Sequence, residues 1–483
     1  MGINFWLVFI VFVYFGLLLW IARITSKDQS NESFFIGKRN SKWYVVAFGM
    51  IGTSLSGVTF ISVPGTVGSQ GFYYFQVVLG YFLGYLVVAF VLLPIYYSLQ
   101  LTSIYKYLET RLGQVAYKTG SSFFILSRTI GATARLYLVI NVLQLFLLND
   151  LGISFHWTAL FILAMILLYT LQGGVKTIVW TDTLQTFFML SGLVLCIYMI
   201  LQQLNLSLFD SFAQLENKNY LRVFNTDFLS GSHFIKHVLG GALITISMTG
   251  MDQEMMQKNI SVKNLKDSQK NMIVFSVILV GVNALFLLLG GLLYLYAAQN
   301  NLNVTGDDLF PTISLQYMPV LFSFVFVIAL ISALFPSADG AITALTSSFC
   351  IDILGFNKNI EMTEENKIKL RKKVHYTFAV IFLILIFIFK YLDNKSIIDL
   401  ILKVAGYTYG PLLGLFGFAI LTKRMLPDNY KIVLVCLMVP VLVFILDYQS
   451  KNWFDGFSFG FLNLAINGLL TFTGLLLISK QKQ

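Results

Sequence analysis

Residues 325–353 read VFVIALISALFPSADGAITALTSSFCIDI. The stretch is long enough to cross a bilayer, yet its middle carries Pro336, Asp339 and several Ser and Thr hydroxyls. In hydrocarbon each uncompensated polar group costs several kcal/mol. A mid-membrane carboxylate costs at least ~2.5 kcal/mol on insertion scales. Such a helix is tolerated where it lines a wet cavity or holds an ion, so a simple anchor is excluded and a transporter is expected.

The rest of the chain has the same character. Of 483 residues, 57% are hydrophobic and only 12% charged, about half the charged share of a soluble domain at roughly 25%. Hydrophobic stretches sufficient for a ~30 Å core recur at 4–22, 44–63, 73–98, 119–148, 155–172, 178–202, 234–251, 272–298, 318–350, 375–391, 396–421, 431–447 and 458–479. These thirteen spans predict an all-α polytopic membrane protein. The net charge of +10 is distributed as topology, not as a nucleic-acid patch. Most of the 33 Lys and Arg, including Lys38, Arg39, Lys42, Lys118, Lys258 and Arg371–Lys373, fall on the side opposite the N-terminus. The positive-inside rule then places the N-terminus outside and the C-terminus in the cytoplasm, as an odd number of spans requires. The first span lacks a basic n-region and a cleavage site, which predicts a retained helix.

Several function classes fall away. The longest hydrophilic stretches, 203–233 and 353–374, are too short to fold alone, which disfavours a fused sensor or enzyme. No Gly-rich phosphate loop points to ATP, and no convergent catalytic set to an enzyme. Cys196, Cys350 and Cys436 lie within spans and show no disulfide or metal spacing. His233 and His237 share a helical face but lack a third ligand for zinc. Energy is therefore expected from an ion gradient, unless the protein only facilitates flow. A solute receptor without transport remains as the rival, though no signalling domain accompanies it.

Spans two to six and seven to eleven are five helices each. Because five is odd, the second set runs in the opposite orientation to the first, as in inverted-repeat transporters. Matching irregularities open each set: Gly52-Thr53-Ser54-Leu55-Ser56-Gly57-Val58-Thr59 and Thr245-Ile246-Ser247-Met248-Thr249-Gly250. The small residues serve either close helix packing or unwinding that presents oxygens at the midplane. Hard cations take oxygen ligands, and carbonyls of Gly52 and Leu55 supply them without a buried charge. Ala333 and Ser337, one turn apart, can face them, and Pro336 frees the carbonyl of Ser332. Asp182 and Asp339 are candidates for a second cation site or a proton; for Asp182 a solvated helix end competes. Arg128 and Arg135, seven apart, share a helical face. They serve either an ion pair with an acid such as Asp182 or a fork for a substrate carboxylate. Asp399 and Lys403 read as a local ion pair. Gln76 can hydrogen-bond a solute, while Tyr73, Tyr74, Tyr407 and Tyr409 are gates or interface residues.

These residues resemble the sodium:solute symporter family, which includes sodium/sugar, sialic acid, iodide and monocarboxylate carriers. SLSGVTFISVPG is similar to the family's first core helix, and its Ser-x-x-Thr-Phe-x-Ser-x-Pro run looks most like the sialic acid and iodide/monocarboxylate branches. GGVKTIVWTDTLQ, TGMDQEMMQKNISVKNLKDSQ and VAGYTYGPLLGLFG look like its fifth, sixth and tenth core helices. The resemblance implies a LeuT-like 5+5 inverted repeat: an extra helix at 4–22, repeats at 44–202 and 234–421, and two helices at 431–479. It implies one or two sodium ions, with the common site at Gly52, Leu55, Ala333 and Ser337. Pro336 stands where the family often has a second hydroxyl. A second site would use Asp182, with Asp339 and Gly340 in place of the family's serines. Substrate contacts would fall near Ser56, Thr59, Gln76, Arg128 or Arg135, and Thr245. Met248 and Thr59 replace the sugar carriers' tyrosine and glutamine, so the galactose pattern is absent and an acid sugar or other carboxylate fits better. The expectation is a monomeric bacterial-type inner-membrane symporter that imports a small organic solute with sodium by alternating access. Proton coupling through Asp339 is the variant.

Overall fold

The computed structural model describes residues 3–25, 30–356, 362–392 and 404–481. Within them the chain is helical, with two isolated β-bridges and no strand. The helices used below are α1 Ile3–Thr25, α2 Asn31–Ile36, α3 Trp43–Ser54, α4 Gly57–Gln70, α5 Tyr74–Ser98, α6 Gln114–Leu143 and α7 Phe155–Leu204. They continue with α8 Phe234–Gly250, α9 Gln253–Ile260, α10 Leu265–Gln299, α11 Val320–Ile353, α12 Glu364–Leu392, α13 Gly410–Leu421, α14 Lys431–Trp453 and α15 Leu462–Ile478.

Seven helical segments are long and apolar enough to cross a membrane, and two bent pairs, α3/α4 and α8/α9, bring the number to nine. Four shorter apolar helices, at Phe9–Thr25, Phe155–Leu171, Gly410–Leu421 and Leu462–Ile478, coincide with the remaining predicted spans. Residues 396–403 of the predicted eleventh span, with Asp399 and Lys403, lie outside the described residues. Polarity is inverted relative to a soluble protein. Trp20, Phe187, Val277 and Leu437 are exposed, whereas Asp182, Gln185, Asp252, Asp339 and Asn283 are buried. An apolar exterior of this extent is suited to lipid.

Two departures from the predicted spans have local causes. The fifth and sixth spans are joined without a loop as α7, bent at Gly174, whose φ of 55° is left-handed. A Cβ there would run into the backbone of Phe34, so glycine both permits the bend and admits α2. The seventh span does not end at 251: after a wide turn at Ile246–Gly250 the chain re-enters helix as α9. Asp252 caps it, its Oδ1 accepting the N–H groups of Glu254 (2.9 Å) and Met255 (3.3 Å).

The packing is reciprocal between the two predicted sets. α5, second in its set, packs on α8, and α10, second in the other, packs on α4. The third members, α6 and α11, pack on each other, and α11 also lies along α7. Both breaks are thereby held in the centre of the bundle.

Candidate functional site

The first break is sharp and uncharged. α3 and α4 meet at 56°, with Leu55 at φ −89°, ψ 78° and Ser56 extended at φ −70°, ψ 171°. Leu55 N–H still bonds Ile51 (2.8 Å) and Phe60 N–H bonds Ser56 (3.1 Å). The last carbonyls of α3 therefore lie at a helix end, where intrahelical donors run out. Gly52 is pressed between two neighbours. Its N–H donates to Thr186 Oγ1 (3.0 Å), and a Cβ added there would collide with that hydroxyl and lie 3.5 Å from Pro336 Cγ. A Cβ on Gly57 would likewise lie 3.9 Å from Leu334 Cα. The stretch Ala333–Ser337 of α11 thus runs alongside the break, and Gly52, Leu55, Ala333 and Ser337 are all buried. Ser337 Oγ donates to Leu334 O (2.9 Å), which leaves its lone pairs free to face a cation. The neutral oxygens of this region fit sodium in kind.

The second break, at 64°, is charged. Lys258 Nζ lies 2.6 Å from Asp182 Oδ2, 2.7 Å from Thr53 Oγ1 and 3.5 Å from Glu254 Oε1. Thr53 Oγ1 also donates to Asp182 Oδ2 (3.0 Å). Arg128 pairs closely with Glu254, and its Nη1 lies 3.6 Å from Asp252 Oδ2, which accepts the Tyr409 hydroxyl (2.8 Å). Asp339 accepts the Tyr169 hydroxyl on Oδ2 (2.9 Å). Every member of this network is almost fully buried. The half-helix α9 is thereby tied to α3, α6, α7 and the start of α13. Two more hydroxyls complete the fixation, Tyr96 to Gly250 O (2.7 Å) and Tyr105 to Met251 O (2.8 Å).

Between the breaks lies a cavity of about 120 Å³. Ser54, Ser56 and Thr59 line it from the first break, and Thr245, Met248 and Thr249 from the second. Tyr74, Tyr81 and Tyr85 of α5, Asn283 of α10 and both Arg128 and Arg135 complete the wall. The two arginines differ. Arg128 is committed to Glu254 and Asp252, whereas Arg135 has no ion pair among the described residues.

The structure brings Ser56, Thr59, Arg128, Arg135 and Thr245 to one cavity and sets Gly52, Leu55, Ala333 and Ser337 beside it. It does not bring Gln76 there. That amide donates to Tyr73 O (3.0 Å) and Ser232 O (3.3 Å) and accepts from Asn225 N–H (3.2 Å), so it fastens an inter-helix loop. Nor is Asp182 a solvated helix end: it is buried in mid-helix, and its cation is Lys258, not Arg128. Asp182 Oδ1 and both amide atoms of Gln185, one turn on, find no partner among the described residues. Sequence reasoning missed Asp252, Glu254 and Lys258, because hydropathy ended the seventh span at 251 and the resemblance of the following stretch to a core helix assigned these charges no role. The signal available was the Asp252 cap followed by an acid in the first turn, which marks a helix start.

A helical bundle with two broken helices, a polar cavity between them and an apolar exterior defines a class, the ion-coupled membrane transporters of inverted-repeat build. The chain belongs to the sodium:solute symporter family, which it matches over residues 34–428. It is 24% identical over 484 residues to the sodium/sialic acid symporter SiaT of Proteus mirabilis (strain HI4320), spanning 96% of this chain and 94% of that one. With the human sodium/iodide cotransporter it shares 27% identity over 314 residues, 63% of this chain and 47% of that protein. Among solved structures, the substrate-bound outward-open state of a Na+-coupled sialic acid symporter superposes at a TM-score of 0.84 over the whole of both chains, with 20% identity. Mhp1, a nucleobase-cation-symport-1 family transporter, superposes in a closed conformation at 0.58, with 12% identity, over 94% of this chain and 96% of that one. The expected fold and sodium-coupled symport both hold, and neither a proton-driven carrier nor a receptor is favoured.

Proposed function

We propose that this symporter imports a small solute bearing a carboxylate, of the acid-sugar class that SiaT of Proteus mirabilis carries. One sodium ion would bind per cycle, at Gly52, Leu55, Ala333 and Ser337. Arg135 carries the reading. It faces a cavity rich in hydroxyls and has no ion pair among the described residues, while its neighbour Arg128 is already paired with Glu254 and Asp252. A guanidinium in that setting is pre-organised for a bidentate carboxylate. Ser56, Thr59 and Thr245 then serve as hydroxyl partners for the rest of the solute.

The second ion position is filled from within. The Lys258 ammonium sits in the oxygen shell that Asp182 and Thr53 would offer a free cation, and Asp339 is engaged by Tyr169. Sodium at the first site joins α3 to α11 and favours the state open to the N-terminal side. Solute binding then permits the network around α9 to release. In this reading the halves 44–202 and 234–421 move against each other in the inner membrane of a bacterial-type cell. The N-terminus is outside, the C-terminus cytoplasmic, and a monomer suffices.

The test is uptake into proteoliposomes of labelled sialic acids, neutral sugars and monocarboxylates under an inward sodium gradient. Carboxylates should be taken up with a sodium Hill coefficient near one. Losing a charged hydrogen bond of about 1.5–3 kcal/mol, Arg135→Gln should raise KM for them by roughly tenfold to a hundredfold. Preference for neutral sugars, or an unchanged KM in Arg135→Gln, would sink the carboxylate assignment. A Hill coefficient near two would sink the single-ion assignment.

A further inference from the structure

A second, larger cavity of about 330 Å³ lies away from the polar centre, between α1, the junction of α6 with α7, and α11. Its chemistry is uniform. Every lining residue is apolar except Thr158, whose hydroxyl is already bonded to Gln144 and to the Ser154 carbonyl. Phe12 (51% exposed) and Trp157 (68%) stand at its lipid-facing side, and Phe15, Ile331 and Phe335, each 2% exposed or less, form its back wall. The floor is preformed. Gln144 Nε2 bonds both Asn149 Oδ1 and Ile153 O at 2.6 Å, and Phe15 meets Phe335 edge-on at 4.9 Å.

Helical interiors are close-packed, and a void of this size forfeits contacts around its whole lining. Water does not fill it, because a buried water needs two to four polar partners and the wall offers only the Thr158 hydroxyl, already engaged. A polar solute is excluded for the same reason. The bilayer itself supplies the one abundant occupant of matching chemistry. We propose that this cavity is a binding site for an acyl chain of a membrane phospholipid, entering between Phe12 and Trp157. The bound chain packs on Ile331 and Phe335, which bracket Ser332, Ala333 and Leu334 on α11. It therefore braces, from the lipid side, the stretch whose other neighbour is the uncharged break.

Photo-labelling in proteoliposomes tests this directly. Phospholipid carrying a diazirine in mid-chain is irradiated with the native protein, and adducts are mapped by mass spectrometry. The site requires adducts on the buried Ile331, Phe335 or Phe15 as well as on exposed Phe12 and Trp157. Val11→Trp, which fills the cavity from α1, should cut the buried adducts at least several-fold and leave those on Trp157. Ile162→Phe fills it from α7 and should act alike if the first variant does not fold. Adducts confined to Phe12 and Trp157 in the native protein overturn the proposal. So do buried adducts that either folded variant leaves unchanged.

Discussion

The two broken helices use one architectural device for opposite chemistry. At α3/α4 the chain supplies neutral oxygens and glycine, and none of the break residues Gly52 to Thr59 is itself charged. At α8/α9 it supplies Asp252, Glu254 and Lys258 and closes them onto Asp182, Arg128, Tyr409 and Thr53. A free cation must arrive and leave in each cycle, so its site cannot be too deep. Neutral ligands at a helix end give that modest attraction. Charges fixed to the chain do not leave, and buried ion pairs are costly to open singly. The first break is suited to a passenger, the second to a latch.

The widest test of this contrast removes the hub of the latch. Glu254 bridges Arg128 and Lys258, so Glu254→Ala leaves two buried cations short of partners. Removing one partner of a buried pair costs about 3–5 kcal/mol, and the variant should lose much of its thermal stability in detergent. The double change Asp182→Leu with Lys258→Met removes a pair outright and should cost little stability, because apolar replacement of a buried pair is often near neutral. Its transport should nevertheless fail, since α9 would no longer be held to α3 and α7 in one state. A double variant that transports normally would show that the network is only structural.

An intermediate effect is expected at the neutral break. Ser337→Ala removes one hydroxyl oxygen, worth about 1–1.5 kcal/mol, so half-maximal sodium should rise by roughly tenfold. Melting temperature without sodium should hardly move. Sodium-dependent stabilisation of the purified protein, measured without any solute, reads this separately from transport. If sodium stabilises Ser337→Ala as it does the native protein, Ser337 is not a ligand.

These contrasts were unevenly legible in the sequence. The uncharged break announced itself, because Gly52, Ser54, Ser56 and Gly57 interrupt an apolar stretch that hydropathy had already placed in the membrane. Pro336 and Ser337 did the same for α11. The charged break did not: hydropathy ends the span at 251, the resemblance of TGMDQEMMQKN to a core helix gave its charges no role, and only three-dimensional packing shows them turned inward and paired. The same limit applied to the arginines. Seven-residue spacing put Arg128 and Arg135 on one face, but it could not show that Glu254 and Asp252 claim only the first. Gln76 lies apart from the cavity for the converse reason, since a polar residue near a span end serves a loop as readily as a solute.

The smallest effect is expected where the latch meets the start of α13. Tyr409 gives Asp252 a hydrogen bond of 2.8 Å, while Asp252 keeps Arg128 and its own capping bonds. Tyr409→Phe removes that one hydroxyl and leaves Asp252 otherwise paired, so stability should fall by about 1 kcal/mol. The telling quantity is rate. If the network is a latch, loosening one of its bonds speeds opening more than it weakens solute binding, so maximal uptake should rise or hold while KM changes less than twofold or so. A large increase in KM with unchanged maximal rate would instead place Tyr409 against the solute, and the division between a neutral passenger site and a charged latch would have to be redrawn.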